Sequence, residues 1–407
     1  MNFTQKQIYE ILEQVVCKEE GLEQLLKMSM EVLMKTEREE HNDMFSDLSN
    51  GYRPRKTFGN GKILELQVPR TRNGNFYPII LGLLRNQEEE AKKIAFKLYG
   101  AGLTTEQVGE LFGDIYGQTY STSQISRMFD YAREEVQRWQ ERKLEVYYPI
   151  VFIDATFIPT RREDNVSKEA YYTILAVKTD FTREVLAVIN NPTEGSSFWN
   201  NIFESLKERG VQEIGLVVTD ALKGIETVIH KQFDMAEIQF CSVHLQRECL
   251  KIVKPIHKAE LSMDFREVFR TDDRNDTKLQ GIQRWKTFCL KWSKYYSNFN
   301  KKAENERYEY YFTYLKYNYQ IRNMIYSTNW IERLNRDYKR TTRMRGALPN
   351  IESTILLLSN VAMTRKAYEY KIIRFKEETE KFRWDDLNKK GHKRQQRQKR
   401  LLGRECL

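Results

Sequence analysis

The chain has 407 residues, room for about two to four domains and a well-buried core, and its 67 Lys and Arg outnumber 57 Asp and Glu to give a net charge of +10. That excess needs anionic company, which makes nucleic acid the first expected partner beside the plainer reading of a generally basic protein. Cys17, Cys241, Cys249, Cys289 and Cys406 have no paired framework spacing, which excludes a disulfide-stapled scaffold and fits a reducing cytoplasm. With no cationic leader and no run of about 18 apolar residues, neither export nor membrane spanning is expected.

Up to about Glu40 the apolar residues recur at helical spacing, first Ile8, Ile11, Leu12 and Val15, then Leu22, Leu25, Leu26, Met30 and Leu33, which predicts two amphipathic helices. Leu64, Leu66 and Val68 then alternate with polar neighbours, and Asn73-Gly74 suits a tight hairpin turn, so a small β element is expected, decorated by Arg53, Arg55, Lys56, Arg70 and Arg72. From about Glu88 to Arg142 the helical pattern returns, with capping-box pairs at Thr104/Gln107 and Ser121/Gln124. Two helices about a Gly-containing connection read either as a helix-turn-helix, with Ser123, Gln124, Ser126 and Arg127 placed to reach DNA, or as a plain helical bundle.

After Pro149 the texture changes to strands. "IVFIDATFIP", "AYYTILAVKT" and "EVLAVINN" predict an antiparallel meander; a helix "SFWNNIFESLKERG" stopped by Gly210, a strand "IGLVVTD", a helix "GIETVIHKQF" and a strand "AEIQFCSVH" follow. Strands alternating with helices call for crossovers and a parallel half to the sheet. The β-β-β-α-β-α-β order is that of a ribonuclease-H-like domain. From about Leu245 to Tyr326 the chain reads as a helical, aromatic-rich insertion whose aromatic residues are mostly core, and Lys389 to Arg400 reads as a solvated basic tail.

Asp154 interrupts one apolar strand and Asp220 closes another, and a carboxylate so placed is costly unless something cationic holds it. Carboxyl ends of neighbouring parallel strands converge on one crevice. With Glu332 as a third ligand, the acids would form a hard-oxygen cage for two Mg²⁺ or Mn²⁺ ions about 3.5–4 Å apart, as used in phosphodiester transfer. The competing reading of Glu332 is helix capping with Asn329. Arg333, Arg336, Arg340 and Arg343 fall at helical steps beside it, giving a cationic face, widened by Lys339 and Arg345, on which a phosphate backbone can lie. Cys241 and His244 form half a zinc site, which Cys249 and His257 would complete; a packed Cys and a hydrogen-bonded His is the alternative.

"FIDATFIPTR", "VVTDALKGIETVIHKQF", "QFCSVHLQRE" and "STNWIERLNRDYKRTTRMRGALPNIES" resemble, in order and spacing, the blocks of bacterial Mutator-type insertion-sequence transposases, a likeness running from about residue 30 to about residue 360. Ala221 stands where the family has Gly, and Glu248 where it has Asn. The resemblance implies a DDE transposase with catalytic, metal-holding acids at Asp154, Asp220 and Glu332, and it puts Cys241 and His244 near the site, positioning DNA or supporting the ligands. It also implies N-terminal domains that read the element's terminal inverted repeats.

The expected fold is therefore α/β: a ribonuclease-H-like catalytic core at 146–244 and 327–375 with an all-α insertion at 245–326. A helical region at 1–45, a small basic β element at 46–87 and a helix-turn-helix-like domain at 88–145 precede it as DNA-binding or dimerising parts, and a basic tail at 376–407 follows. The expected DNA contacts are Arg53, Arg55, Arg70, Arg72, Ser123, Gln124, Arg127, Cys241, His244, Arg333, Arg336, Arg340 and Arg343. The expected activity is Mg²⁺-dependent cleavage at the ends of a mobile element, then direct attack of the freed 3′-hydroxyl on target DNA, by a homodimer or larger assembly. The alternatives are a nuclease or resolvase without strand transfer, and a DNA-binding regulator without catalysis.

Overall fold

A computed structural model describes residues 21–59, 62–116, 120–163, 165–191, 196–343 and 345–372. The chain divides into two compact units, Met1–Arg133 and Glu134–Leu407.

In the first unit, helix α1 (Gly21–Phe45) packs on a hairpin of β1 (Ser49–Gly59) and β2 (Lys62–Thr71), and α2 (Ile79–Ala101) completes the layer. Alternation along β2 points Leu64 and Leu66 inward, where they meet Met34, Leu81 and Leu84 in one apolar cluster. The first of the two expected amphipathic helices lies outside the described residues; the second is α1. The hairpin turn departs from expectation. Gly59 pairs with Lys62, so the chain reverses between them, and Asn73-Gly74 comes after β2 has ended. The chain holds three Asn-Gly pairs, Asn50-Gly51, Asn60-Gly61 and Asn73-Gly74, and the alternating run at Leu64 finds its partner strand upstream of it.

Helix α3 (Thr105–Tyr116) opens on the reciprocal Thr104/Gln107 hydrogen bonds, and α4 (Thr122–Met128) on those of Ser121 and Gln124. Phe129 interrupts what the periodicity reads as one long helix, and α5 (Asp130–Glu141) resumes it into the second unit.

The second unit is built on a five-stranded sheet in the order β5-β4-β3-β6-β7. Strands β3 (Tyr147–Arg162), β4 (Asn165–Val177) and β5 (Arg183–Asn190) form the antiparallel meander; β6 (Glu213–Thr219) and β7 (Glu237–Phe240) add in parallel. Parallel neighbours need crossovers, supplied by α6 (Ser196–Glu208) and α7 (Ile225–Gln232). Gly210, at φ +115°, ends α6 as its residue type predicts, and its N–H donates to Lys207 O at 2.9 Å. Residues 148–154 of β3, 169–177 of β4 and 216–219 of β6 are continuously buried, as a sheet covered on both faces requires.

Between β7 and Ser327 the described chain is helical: α8 (Ser242–Ile252), α9 (Lys258–Val268), α10 (Lys278–Ser293), α11 (Asn298–Glu304), a 3₁₀ stretch (Glu306–Lys316) and α12 (Tyr319–Ile325). Its core is aromatic, with Trp285, Trp292, Phe299 and Tyr314 buried, while Tyr295 stays exposed. Buried Gln239 ties this region to the sheet, donating to Tyr311 O at 3.0 Å and accepting from Tyr314 N–H at 2.7 Å. The chain then returns as α13 (Asn329–Arg343), which packs on β3, and α14 (Ile351–Met363). Leu348, between them, forms a parallel bridge with Thr160 of β3.

Candidate active site

Strand register places the first two acids. Ile153 of β3 pairs with Thr219 of β6, and Thr219 pairs with Phe240 of β7. One step further along each strand comes the row Asp154, Asp220 and Cys241, across strands about 4.8 Å apart. Asp154 is buried within β3, whereas Asp220, just past the end of β6, is half-exposed. The turn beyond Asp220 is held by Arg307, whose Nη2 donates to Leu222 O at 2.8 Å and whose Nε lies 2.7 Å from Glu226 Oε1.

Glu332 comes from the first turn of α13. The structure corrects its cap: Glu332 N–H donates to Thr328 O at 3.3 Å, which makes Thr328 the N-cap and places Asn329 inside the helix. Three residues on, Asn335 is buried and donates from Nδ2 to Asp154 Oδ2 at 2.9 Å, joining the Glu332 helix directly to the Asp154 strand. Asp154 Oδ1, equally buried, meets no good donor among the described residues. Burial first, and then the charges of Asp220 and Glu332, push the Asp154 carboxyl well above the usual carboxylate range, while the His244 charge opposes them.

Two basic side chains stand against the other acids. His244, on the first turn of α8, has Nδ1 2.6 Å from Asp220 Oδ1, off the line of a good hydrogen bond. The contact with the Asp220 carboxylate, followed by that with Cys241, pushes His244 up to about 11. Arg247, one helical turn further, donates from Nη2 to Glu332 Oε1 at 2.7 Å and lies 3.5 Å from His244 Nε2. A cavity of about 680 Å³ is lined by Asp154, Glu332, Asn335, His244, Arg247 and the cations Arg333, Arg336 and Lys339. A second of about 680 Å³ is lined by Asp220, Lys223, Arg247, Lys251 and Tyr311, and the two share His244 and Arg247.

The structure distributes the other expected residues unevenly. Arg340 and Arg343 lie further along α13, exposed, and do not line these cavities. Cys241 departs from its expected DNA contact: its sulfur is buried and accepts from Thr328 N–H and Oγ1, each at 3.4 Å, so it reaches no DNA surface. The proposed partners Cys249 and His257 do not join it. Cys249 is buried on α8 and His257 Nδ1 lies 2.7 Å from Tyr296 Oη, whereas the atoms of Asp220, Cys241 and His244 gather within 4.8 Å of one another. In the first unit Arg53, Arg55, Arg70, Arg72, Ser123 and Arg127 are exposed, while the Gln124 side chain is engaged in capping α4. The basic tail lies outside the described residues. Among the described residues no helix is long and apolar enough to cross a membrane.

Sequence reading missed Asn335 and Arg247. Asn335 carried a signal: Ile331, Leu334, Tyr338 and Thr341 are the buried face of α13, and a polar residue in that stripe requires a partner. Arg247 carried none, because its position on α8 becomes meaningful only once the helix meets α13.

Comparison with known proteins bears on the whole chain. The profile described as "Transposase, Mutator family" matches residues 4–372. The transposase for insertion sequence element IS905 of Lactococcus lactis subsp. lactis (strain IL1403) is 32% identical over 290 residues, 71% of this chain and 72% of that protein. A probable transposase for insertion sequence element ISRM3-like of Sinorhizobium fredii (strain NBRC 101917 / NGR234) is 30% identical over 343 residues, 83% of this chain and 85% of that protein. Among solved structures, the Drosophila P element transposase strand transfer complex covers 70% of this chain and 80% of its own at 11% identity and a TM-score of 0.31, a likeness too slight to support any inference. With a match that runs almost from end to end, the chain belongs to the Mutator family of transposases.

Proposed function

We propose that the chain is a DDE transposase with a ribonuclease-H-like core. In this reading it binds the terminal inverted repeats of its element, hydrolyses the phosphodiester at each end, and joins the freed 3′-hydroxyls to target DNA by direct transesterification. One observation carries the reading: the adjacent register of Asp154 and Asp220, with the Glu332 helix stitched to the same strand through Asn335.

The acids fit divalent metal. Asp154 keeps one buried oxygen without a good donor, and its carboxyl is pushed up by burial and by the two neighbouring acids, a repulsion that a cation would relieve. The donors are hard oxygens, suited to Mg²⁺ or Mn²⁺. Asp154, Asp220 and Glu332 would hold two such ions, which when bound supply Lewis-acid activation of the attacking oxygen and charge stabilisation of the leaving one.

The chain's own residues do the rest. Asn335 fixes the orientation of the Asp154 carboxylate. His244 lies against Asp220 at 2.6 Å and Arg247 against Glu332 at 2.7 Å, which would hold these two side chains in place. Arg333, Arg336 and Lys339 line the cavity on the α13 side, where they would hold the phosphates of the reacting strand. Arg340 and Arg343 continue the positive face outward, and the exposed arginines of the first unit supply further contact to the duplex. Two element ends held together call for at least two copies of the chain.

The test supplies terminal-repeat DNA, a target plasmid and Mg²⁺ to the wild-type chain and to Asp220→Asn. Joined products that vanish in the variant, with duplex binding retained, are expected. Cleavage without joining would point instead to a nuclease, and binding without chemistry in the wild type to a regulator.

A further inference from the structure

A cavity of about 660 Å³ adjoins the acidic one, and Asn329 and Arg333 line both. Its other walls include Arg183, Trp330, Tyr370 and Lys371, with no Asp or Glu among the lining residues. Its volume falls in the range of about 300–1,000 Å³ usual for small-ligand sites.

Aromatic faces and cations are interleaved here. Arg183, at the start of β5, has Cζ 4.9 Å from the centroid of Trp330, and Arg333 has Cζ 5.8 Å from the same ring. Arg183 Nη2 donates to Ala367 O at 2.7 Å, but its Nε is buried without a partner among the described residues. Burial first, and then the charges of Arg365 and Arg333, hold this guanidinium below its ordinary range, although Tyr368 opposes them. Asp337 is taken up by Arg365. Crowded guanidinium groups beside a tryptophan and an exposed tyrosine lack an anion that also carries a flat apolar face.

A nucleotide has that chemistry. We propose that this cavity receives one unpaired nucleotide of the DNA end, its phosphate on Arg183 and Arg333 and its base against Trp330. The inference rests on the reading that the adjoining cavity holds the reacting strand, since Arg333 then serves two successive phosphates. Drawing one base out of the stack would let the strand turn between the two cavities, at the cost of unstacking that the aromatic face offsets.

The test measures fluorescence anisotropy of a labelled thymidine hexanucleotide and of the same backbone without bases. The full chain, Trp330→Phe and Trp330→Leu are each titrated in EDTA. The wild type should prefer the base-bearing probe. Trp330→Leu, which keeps apolar bulk, should lose about tenfold on that probe and little on the abasic one. Trp330→Phe should keep most of the preference, and free thymidine monophosphate should compete poorly. Equal loss on both probes, no loss, identical Phe and Leu variants, or competition by the mononucleotide as strong as by the strand would each overturn the proposal. Without divalent cation the acids contribute no chemistry. Should Asp220→Asn leave joining intact, the acid-triad reading falls while the Trp330 result still stands on its own outcome.

Discussion

Asn335 gives the sharpest residue-scale test, because its amide joins the two elements that bring Asp154 and Glu332 together. Asn335→Leu keeps the volume but leaves Asp154 Oδ2 as unpartnered as Oδ1. Groups that orient metal ligands typically cost 10–100-fold in activity or metal affinity when removed, so cleavage should fall by about that factor, and the Mg²⁺ concentration for half-maximal rate should rise. The buried carboxylate left unpaired should also cost about 1–3 kcal/mol in denaturant unfolding. An unchanged Mg²⁺ dependence would assign Asn335 to packing alone. Arg247→Met separates a different role: if the guanidinium only keeps Glu332 in place, cleavage should drop about tenfold and recover partly at high Mg²⁺, a result read from initial rates across a metal titration. Asp154 and Asp220 stood out in the sequence because one interrupts and the other closes an apolar strand, a costly place for a charge when it is buried, as Asp154 is. Asn335 showed only as a polar residue in a buried stripe and Arg247 not at all, since their partners lie 181 and 85 residues away and no periodicity spans such distances.

At the scale of elements, the antiparallel meander and the parallel half of the sheet followed from the texture of the sequence, since buried runs separated by amphipathic helices leave few ways to pair, whereas the adjacency of β3 and β6 came only with the register. The hairpin turn did not, because an Asn-Gly pair marks a favourable reversal without saying which strands flank it, and the break at Phe129 left no mark in the helical period. The position of β6 depends on one residue that pattern alone undervalues. A Cβ on Gly215 would lie 2.7 Å from Pro149 O and 3.0 Å from Tyr147 Oη, so β6 lies against the start of β3 only because no side chain stands there. The first of these contacts is backbone, which cannot swing aside. Gly215→Ala should therefore cost about 1–3 kcal/mol in denaturant unfolding. It should also slow cleavage, since Asp220 follows directly on the last residue of β6. A variant as stable and active as the wild type would show that β6 shifts freely without disturbing the acids.

For the whole molecule, the question is where the +10 charge is used. Net charge alone cannot say, because a basic protein can spread its cations over a solvated surface. The structure offers two sets of exposed arginines without ionic partners among the described residues: Arg53 and Arg55 on β1 in the first unit, and Arg340 and Arg343 on α13 in the second. If each touches a phosphate of duplex DNA, each releases counterions on binding, and the log–log dependence of affinity on salt loses about 0.9 per contact removed. Arg53→Gln with Arg55→Gln should thus reduce the slope by roughly two, and so should Arg340→Gln with Arg343→Gln. Because the pairs belong to separate units, the fourfold variant should lose the sum, roughly four, when terminal-repeat duplex is titrated at several salt concentrations. The pairs should differ in chemistry. At saturating DNA the β1 variant should cleave at the wild-type rate, since it affects only how often the duplex is held, whereas the α13 variant should cleave more slowly because its arginines extend the face that begins beside Glu332. A slope that neither pair alters would place the phosphate contacts elsewhere, and a β1 variant slow at saturation would mean that the first unit takes part in setting the reacting strand as well as in capturing it.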